Sequence, residues 1–553
     1  MTGKCCDLVN ATEFRSRCAV ILLAALVLTA LVLTALVLTA AAWMRGAEYD
    51  EQYTLFLTAG VPRPDWPETV FSAGSVAAMQ AGHATLTNIA RDLRATDVHP
   101  PFYFWAVSLW RSVFGPGLFA ARTLSVLCGV VSIWIVGVIA RRCGIRPALA
   151  MLLTLGCYGF VYTNTIARGF APAQMLTLCG VSLLLGRRPL LAGVCLGAAC
   201  CCNYLAVFVG VAVVLAGGGW LAVATAMPFL AVDAWFFAAQ HAARTDQFPP
   251  FEVWPSLLRL AEYQTASVFG GLPLYVDGMV RLAVEASVGL LAVVLVVTVA
   301  RSRPLGSGRA VRVLLAAAIA PPIGLLLLGA VFDNTPIELR YLSFGLPFIG
   351  LLVARANDVS WPGLSRPDTT FTHPPPQVVA GRDKLGHNTK SNANAHADAL
   401  MLAPMEPGSD RTRVGRSAPP LLLPLILTVQ LVSIAGLLLS PRTMQPARAI
   451  AAEAARLAGD GIVLLPRGND GVGIVGAFGI EAPASLPLLL VRPSNSFALH
   501  IIPYHRVVLA LLGQDRDSSA TIAFLRAAFV SPNWRRVAIG SNLEIYEQTD
   551  TGK

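Results

Sequence analysis

Repeated apolar runs, most of them long enough to cross a lipid bilayer, are the feature of this sequence that most limits its fold. A helix crosses about 30 Å of hydrocarbon with roughly 20 residues, because each residue adds about 1.5 Å. Backbone groups within hydrocarbon must find partners inside their own segment, so runs of this kind fold as helices. The first run extends from Ala19 to Met44, and further runs lie at about 101–114, 118–140, 147–164, 170–186, 189–217, 219–239, 281–300, 309–332, 341–355 and 419–440. The sequence therefore predicts a polytopic α-helical membrane protein with about 11 transmembrane helices.

Composition and charge agree with a membrane protein and exclude other classes. Hydrophobic residues make up 55% of the 553 residues and charged residues only 13%, which is not typical of a soluble globular protein. The net charge of +10 comes from basic residues at the ends of apolar runs and in one polar insert. Positive loops on the cytoplasmic side account for this distribution, so we expect no nucleic-acid partner. All eleven cysteines lie at or before Cys202, mostly within apolar runs, which predicts no disulfide framework.

The N-terminal third divides into a lead, a first span and a polar loop. Residues 1–18 are polar and basic, and we expect a cytoplasmic lead. Residues 19–44 contain the sequence Leu-Val-Leu-Thr-Ala three times. The apolar core of a cleaved signal peptide has about 7–15 residues, so this longer run favours a retained first span. Residues 45–99 are then expected to form an extracytoplasmic loop inside a transmembrane module of residues 19–356.

Two later segments differ in composition from the apolar runs. Residues 357–418 are rich in proline, asparagine and charge and cannot bury a core, so we expect a disordered cytoplasmic insert before the last transmembrane helix at 419–440. In residues 441–553, helical patterns alternate with strand patterns, which favours a small extracytoplasmic α/β domain. The expected helices and strands are Ala447–Ala458, Gly461–Leu465, Leu488–Val491, Thr521–Phe529, Arg536–Ile539 and Leu543–Tyr546.

The path of the chain through the membrane has two interpretations between residues 101 and 217. Arg301, Arg303 and Arg309 favour a cytoplasmic loop between two runs. Strict alternation from the first span then places the basic pairs at 141–142 and 187–188 outside. Dividing the run 189–217 at Asn203, with one net crossing for 101–140, would place both pairs inside. The two schemes agree from residue 219 onward.

Asp50 and Glu51 follow the first apolar run directly. A carboxylate so close to hydrocarbon is partly desolvated and needs partners. Taken alone, the pair is better explained as the polar end of a span, because charges commonly flank the ends of membrane helices. Its sequence context, however, contains further motifs in a fixed order.

That order resembles the GT-C glycosyltransferases, in particular the superfamily of protein O-mannosyltransferases and aminoarabinose–lipid A transferases. The resemblance covers residues 19–355 best. The motifs that carry it are Asp50-Glu51-x-Tyr53, His99-Pro100-Pro101-Phe102-Tyr103, Phe114-Gly115, Ala121-Arg122-x-x-Ser125, Ala167-Arg168-Gly169-Phe170 and Arg340-Tyr341 leading into Pro347. The resemblance implies an integral-membrane glycosyltransferase that moves a sugar, with inversion, from a polyprenyl-phosphate donor to an extracytoplasmic acceptor. It also implies a multi-pass protein of the bacterial inner membrane, with a protein, a lipid or a glycan as acceptor.

The resemblance assigns the role of catalytic base to Asp50. An acceptor hydroxyl is a poor nucleophile until a nearby base takes its proton, which a carboxylate can do. Glu51 would then hold the acceptor or bind a divalent cation, or it is only a solvated neighbour. The sequence contains no cluster of metal ligands, so a divalent cation is the one cofactor that the resemblance leaves open.

The leaving group in such a reaction is a lipid phosphate, which preorganised cations stabilise. Arg168 and Arg340 are the candidates, and Arg340 ranks first because it reaches the outer face in both topologies. Arg168 reaches that face only in the divided topology and is otherwise a cytoplasmic anchor. His99 would bind phosphate, or orient Glu51 or a metal, unless it only caps a helix before two prolines.

Tyr53 and Tyr103 are candidates for hydrogen bonding or stacking on a sugar, although such tyrosines also form interfacial aromatic belts. Asp233 lies within an apolar run, which makes it a functional candidate without a matching motif. Arg281 and Glu285 are four residues apart and are expected to pair. His241 and Glu262 are weaker candidates for an acceptor or metal site.

Two other functions compete with glycosyl transfer. In a transporter or lipid flippase, Asp233 and Arg168 would mark a translocation path. Such proteins commonly contain internal repeats, but the sequence contains no second half that resembles the first, and its acidic pair lies at a membrane face. A non-catalytic anchor for the C-terminal region would need only one span, which leaves the other runs unexplained.

Overall fold

The computed structural model describes most of the chain, with several gaps. The described residues are 3–240, 249–271, 273, 276–301, 308–358, 421–440, 447–468, 471–493, 497–512, 516–539 and 542–549. The predictions for His241, for Arg303 and for nearly all of the insert 357–418 therefore lie outside the described residues.

The described part of the chain before residue 441 is helical except for one short strand. Its helices are Gly3–Met44 (α1), Tyr49–Ala59 (α2), Ala73–Gln80 (α3), Leu86–Thr96 (α4), Phe102–Phe114 (α5), Leu118–Arg142 (α6), Pro147–Leu155 (α7), Tyr158–Thr163 (α8), Phe170–Leu185 (α9), Pro189–Cys202 (α10), Ala206–Gly217 (α11), Leu221–Gln240 (α12), Val253–Phe269 (α13), Gly278–Arg301 (α14), Arg309–Phe332 (α15), Leu346–Asp358 (α16) and Leu422–Leu439 (α17). A 3₁₀ helix at Leu339–Gly345 leads directly into α16.

Seven helices within the described ranges are long and apolar enough to cross a membrane. They are Ala24–Met44, Leu118–Arg142, Leu221–Gln240, Gly278–Arg301, Arg309–Phe332, Leu339–Asn357 and Leu422–Leu439. The predicted multi-pass helical membrane protein is thereby confirmed. The number of such helices is smaller than the eleven runs predicted from the sequence.

Of the four runs that are not among the seven helices, 101–114 and 170–186 form single shorter helices of 13 and 16 residues. Turns divide the other two. The run 147–164 is divided into α7 and α8, and the run 189–217 into α10 and α11. The second division occurs at Asn203, whose Oδ1 accepts a hydrogen bond from the Leu205 amide at 3.1 Å, as asparagine often does in turns. Asn203 is also the position at which the divided topology separates this run. Between α5 and α6, Gly115 has a φ of +100°, a conformation that glycine adopts without strain.

The C-terminal region combines a mixed β-sheet with helices. Its strands are β2 (Ile462–Pro466), β3 (Pro487–Val491), β4 (Arg506–Ala510), β5 (Trp534–Ile539) and β6 (Leu543–Gln548), and its helices are α18 (Ala447–Ala458), α19 (Gly473–Glu481), α20 (Phe497–Ile501) and α21 (Arg516–Ala528). With β1 (Phe71–Ser72) at one edge, the strand order is β1-β3-β2-β4-β6-β5, and β2 is parallel to both β3 and β4. Apolar side chains of β2 point alternately to two cores, one containing Val463 and Leu465 and the other Ile462 and Leu464. Helix α19, helix α20 and strand β4 were not predicted.

The strand at the edge of this sheet comes from the polar loop that follows the first span. Phe71–Ser72 forms β1, which pairs antiparallel with β3 through Phe71 opposite Leu488. The loop and the C-terminal region therefore share one sheet.

Glycines let helix α19 approach helices α2 and α3 closely. A Cβ atom added at Gly476 would lie 2.9 Å from the Phe56 ring, and one at Gly479 would lie 2.5 Å from Val76. Side chains at these positions would therefore push the helices apart. Polar contacts support the same junction, since the Ala47 amide donates to Glu481 Oε1 at 2.6 Å. The C-terminal region thus fixes the position of α2, the helix that begins with the Asp50-Glu51 pair.

We expect Gly476→Leu to displace α2 and to lower the free energy of unfolding by about 1–3 kcal/mol, because overpacking forces backbone shifts. Thermal unfolding of the purified full chain in detergent measures this change. Gly289→Leu is the matched control, since Gly289 is also helical and has no atom within 4 Å of its added Cβ. Equal melting temperatures for the two variants would contradict the close packing of α2 and α19.

Candidate active site

Asp50 lies in the first turn of α2, immediately after the end of the first membrane helix. The N-terminus of a helix carries partial positive charge, which stabilises a carboxylate there. Asp50 is only 7% exposed, and its Oδ2 forms an ion pair with Nη1 of Arg340 in the 3₁₀ helix. Two predicted site residues that are far apart in sequence are therefore in direct contact.

Glu51 is fully buried, and each of its carboxylate oxygens accepts two hydrogen bonds. Oε1 accepts from Arg122 Nε at 2.7 Å and from the Ala167 amide at 2.7 Å. Oε2 accepts from Arg122 Nη2 at 2.5 Å and from the Glu48 amide at 2.9 Å. These four hydrogen bonds satisfy both carboxylate oxygens and favour a structural role for Glu51. The expected contact of Glu51 with an acceptor, a cation or His99 is not favoured.

Arg122 connects Glu51 to the end of the first span. Its remaining donors bind backbone carbonyls of Ala42 at 2.8 Å, Arg45 at 2.9 Å and Gly46 at 2.7 Å. The last carbonyls of a helix have no partner within the helix, so Arg122 caps α1. One buried side chain of α6 therefore joins the C-terminus of α1 to the first turn of α2.

A second buried ion pair lies beside the first and was not predicted. Arg45 pairs with Glu48, whose Oε2 also accepts a hydrogen bond from the Tyr162 hydroxyl at 3.0 Å. The Arg45 guanidinium lies 4.5 Å from the centre of the Tyr162 ring, within the range of a cation–π contact. Opposite charges three residues apart at the end of a span are the sequence signal that could have identified this pair.

His99 lies between an acid and Arg168. His99 Nδ1 is 3.0 Å from Asp97 Oδ1, and His99 Nε2 is 3.0 Å from Arg168 Nη2. Arg168 Nη2 also lies 3.5 Å from His99 Nδ1, so the guanidinium contacts both ring nitrogens. His99 therefore holds Arg168 in place.

Arg168 has one donor without a partner. The residue is 4% exposed, and its Nη1 has no hydrogen-bond partner among the residues that the structure describes. Leaving a buried charged donor unsatisfied is costly, so an acceptor supplied by a ligand would stabilise this position. The unpaired nitrogen indicates a site for an anionic oxygen.

The two predicted tyrosines are buried. Tyr103 is fully inaccessible and lies in a core with Phe104 and Val107. Tyr53 packs in the core beneath the C-terminal sheet, with its hydroxyl 3.3 Å from that of Tyr49. Neither residue has the position expected of an interfacial aromatic belt.

An ion pair between α13 and the residue before the 3₁₀ helix supports the segment that contains Arg340. Arg259 Nη2 on α13 lies 3.4 Å from Oε1 of Glu338, the residue that precedes the 3₁₀ helix. Burial raises the pKa of Glu338, and the charge of Arg259 opposes that shift. On the neighbouring helix α14, the predicted pair of Arg281 and Glu285 is confirmed, with Nε and Oε1 2.9 Å apart.

A cavity of about 450 Å³ lies beside this cluster, between α10, α11, α12 and α15. Most of its lining is apolar, and the polar lining residues include His99, Asn203, Tyr204, Asp233, Asn334 and Tyr341. Cavities of this size and character are typical of ligand sites. Within the described residues, no group of three or more histidine, cysteine, aspartate or glutamate side chains could hold a metal ion.

We expect Arg122→Met to destabilise the protein by about 3–5 kcal/mol, because it leaves the buried charge of Glu51 without its partner. The double variant Arg122→Met with Glu51→Leu should recover part of this loss. Thermal unfolding in detergent tests both. Arg281→Met is the control, since Arg281 belongs to an exposed pair. An effect of Arg122→Met no larger than that of Arg281→Met would show that the buried pair does not hold α1 and α2 together.

Part of the chain matches the model of a known protein family. Residues 98–240 match the model of the family described as dolichyl-phosphate-mannose-protein mannosyltransferase. This segment contains His99, Tyr103, Arg122 and Arg168. No curated protein matches the sequence.

Three solved structures align with nearly the whole chain at low similarity. ArnT from Cupriavidus metallidurans bound to undecaprenyl phosphate is 13% identical, with a TM-score of 0.44 over 96% of this chain and 98% of that chain. The apo state of the same protein gives 12% identity, with the same TM-score and coverage. The arabinofuranosyltransferase AftD from Mycobacteria is 14% identical, with a TM-score of 0.41 over 94% of this chain and 40% of that chain. The family match confirms the predicted resemblance over residues 98–240, and the seven apolar helices agree with a multi-pass membrane protein.

Proposed function

We propose that the protein transfers a sugar from a polyprenyl-phosphate donor to a hydroxyl of an extracytoplasmic acceptor, with inversion at the anomeric carbon. The observation that carries this proposal is the ion pair of Asp50 and Arg340 at the end of the first span. It combines a base for the acceptor with a cation for the leaving phosphate in one site.

In this proposal, Asp50 is the catalytic base. Its pairing with Arg340 offsets the cost of burying the carboxylate while no donor is bound. A donor phosphate would compete for the same guanidinium, because arginine binds phosphate oxygens in the geometry that it uses for carboxylates. Donor binding would thereby free Asp50 to accept the proton of the acceptor hydroxyl.

Arg340 and Arg168 stabilise the negative charge that develops on the leaving phosphate. Support for Arg168 comes from its unpaired Nη1 and from the contact with His99 that fixes its other nitrogen. Cations already held in place need no reorganisation during the reaction, which makes them effective at a developing anion. His99 and Asp97 are positioning residues here.

Inversion follows from a single displacement. The acceptor oxygen attacks the anomeric carbon on the face opposite the phosphate, the bond from that carbon to the phosphate oxygen breaks, and Asp50 receives the acceptor proton. Double displacement commonly uses two carboxyl groups that both reach the sugar. Because the hydrogen bonds of Glu51 fill its carboxylate, Asp50 alone of this pair is open to substrate, which favours inversion.

We expect Asp50→Asn to lower kcat/KM by about 10²–10⁴-fold, the usual contribution of a general base. Release of polyprenyl phosphate from a labelled polyprenyl-phosphate sugar, incubated with the purified protein and membrane extract, measures this rate. Asp460→Asn is the control, since it makes the same chemical change at an exposed position. Full turnover by Asp50→Asn would overturn the proposal, and lipid transport that survives this change without sugar transfer would favour a flippase.

We expect Arg168→Met to weaken the binding of polyprenyl phosphate by roughly 10- to 150-fold, the equivalent of about 1.5–3 kcal/mol for a hydrogen bond to a charged group. Arg168→Lys should retain part of the affinity as a point charge. Equilibrium binding of the labelled lipid phosphate in detergent measures both. Arg141→Met removes an equal charge at an exposed position. If it weakens binding as much as Arg168→Met, the effect is one of net charge and Arg168 is not a phosphate ligand.

A further inference from the structure

The cavity beside the candidate active site contains a carboxyl group without a partner. Asp233 on α12 is 6% exposed, and neither of its carboxyl oxygens has a hydrogen-bond partner in the described part of the chain. The nearby Cys201 thiol donates to the backbone carbonyl of Phe229 at 3.5 Å. Asp233 therefore differs from Glu48 and Glu51, whose buried carboxylates are paired with arginines.

An unpaired acid in such a place is costly for the fold. Asp233 lies in an apolar helix that is long enough to cross a membrane, where a charged or unsatisfied polar group lowers stability. Replacing it with an apolar residue would remove that cost. A polar group retained against stability in this way is typical of binding and catalytic sites.

The cavity offers other acceptors near Asp233. Asn334 Oδ1 also lacks a hydrogen-bond partner within the described ranges. The Tyr204 hydroxyl donates its proton to Gln240 Oε1 at 2.8 Å, so toward the cavity it can only accept. A ligand that satisfies this lining must bring several hydrogen-bond donors of its own.

Neither the phosphate nor the prenyl chain of the proposed donor supplies such groups. Phosphate oxygens are acceptors and are repelled by a carboxylate, and an alkyl chain has no polar hydrogen. The hydroxyl groups of a sugar do match, because each is a donor. The cavity also adjoins His99 and therefore Arg168, where the phosphate is proposed to bind.

We infer that Asp233 is a sugar-binding residue, which accepts hydrogen bonds from hydroxyl groups of a sugar held in this cavity. Asn334 is the second acceptor of the same subsite. The inference rests on the proposed function and adds to it the residue that distinguishes a sugar-loaded lipid from a bare one. The hydroxyl groups belong either to the transferred sugar or to a sugar acceptor.

Equilibrium binding distinguishes hydroxyl groups of the transferred sugar from those of a sugar acceptor. The probes are polyprenyl phosphate alone and polyprenyl phosphate linked to mannose, glucose or arabinose, with the full-length protein in detergent. We expect Asp233→Leu and Asp233→Asn to weaken the best-bound sugar-linked probe, about tenfold or more for Leu, and to leave the bare lipid phosphate unchanged. If the Asp233 variants bind every probe as the wild-type protein does, and only their KM for a sugar acceptor is raised, the hydroxyl groups belong to the acceptor.

Other outcomes overturn the inference. Equal loss for the bare and sugar-linked lipids would mean that Asp233 contacts the lipid, and no change in binding or KM would mean that it contacts no substrate. Failure of the wild-type protein to bind any probe would instead refute the proposed function, and this inference with it.

Stability and a control variant separate binding from folding. Because Asp233 has at most the weak Cys201 thiol to lose, Asp233→Leu should keep or raise the melting temperature, whereas a lowered melting temperature would indicate a structural role. Thr225→Val on the same helix removes a partnered polar group, since Thr225 Oγ1 donates to the Leu190 carbonyl at 2.7 Å. It should leave the binding of all probes unchanged.

Discussion

One guanidinium group joins the membrane helices to the segment that begins with the candidate catalytic carboxylate. Arg122 caps the end of α1 and binds Glu51, which in turn accepts hydrogen bonds from the amides of Glu48 and Ala167. Buried charges are stable only when paired and fully hydrogen-bonded, and this pair meets both conditions. The direction in which α2 leaves the membrane, and with it the position of Asp50, depends on that pair.

The pairing of charges separates structural groups from candidate functional groups. Glu48 and Glu51 are buried and fully engaged, which suits residues that hold a framework. Asp50 shares its partner Arg340 with the phosphate of the proposed donor, while Arg168 and Asp233 each have atoms that no described residue satisfies. The unsatisfied atoms of Arg168 and Asp233 lower stability unless a ligand binds them. Asp233 lines the cavity, as does His99, which contacts Arg168. This arrangement supports the proposed site for a ligand with a phosphate and hydroxyl groups.

The C-terminal region belongs to the same structural unit as the site. Strand β1 from the loop after the first span completes its sheet, and glycines of α19 allow close contact with α2 and α3. Helix α2 is thus held on one side by Arg122 and on the other by α19. A carboxylate that acts as a base must keep its position relative to both substrates, and two independent supports restrict its motion.

The sequence by itself determined the helical membrane class, the position of most helices and strands, and the order of the motifs. These features are local, since run length and periodicity are properties of neighbouring residues. It also identified Asp50, Arg168, Arg340 and His99 as candidates through their resemblance to a family. Only the tertiary structure decided which charges pair, because contacts such as Asp50 with Arg340 and Phe71 with Leu488 join residues that no local pattern relates. For the same reason, the sequence could not distinguish Glu51, whose partners fill its carboxylate, from Asp233, which has no described partner.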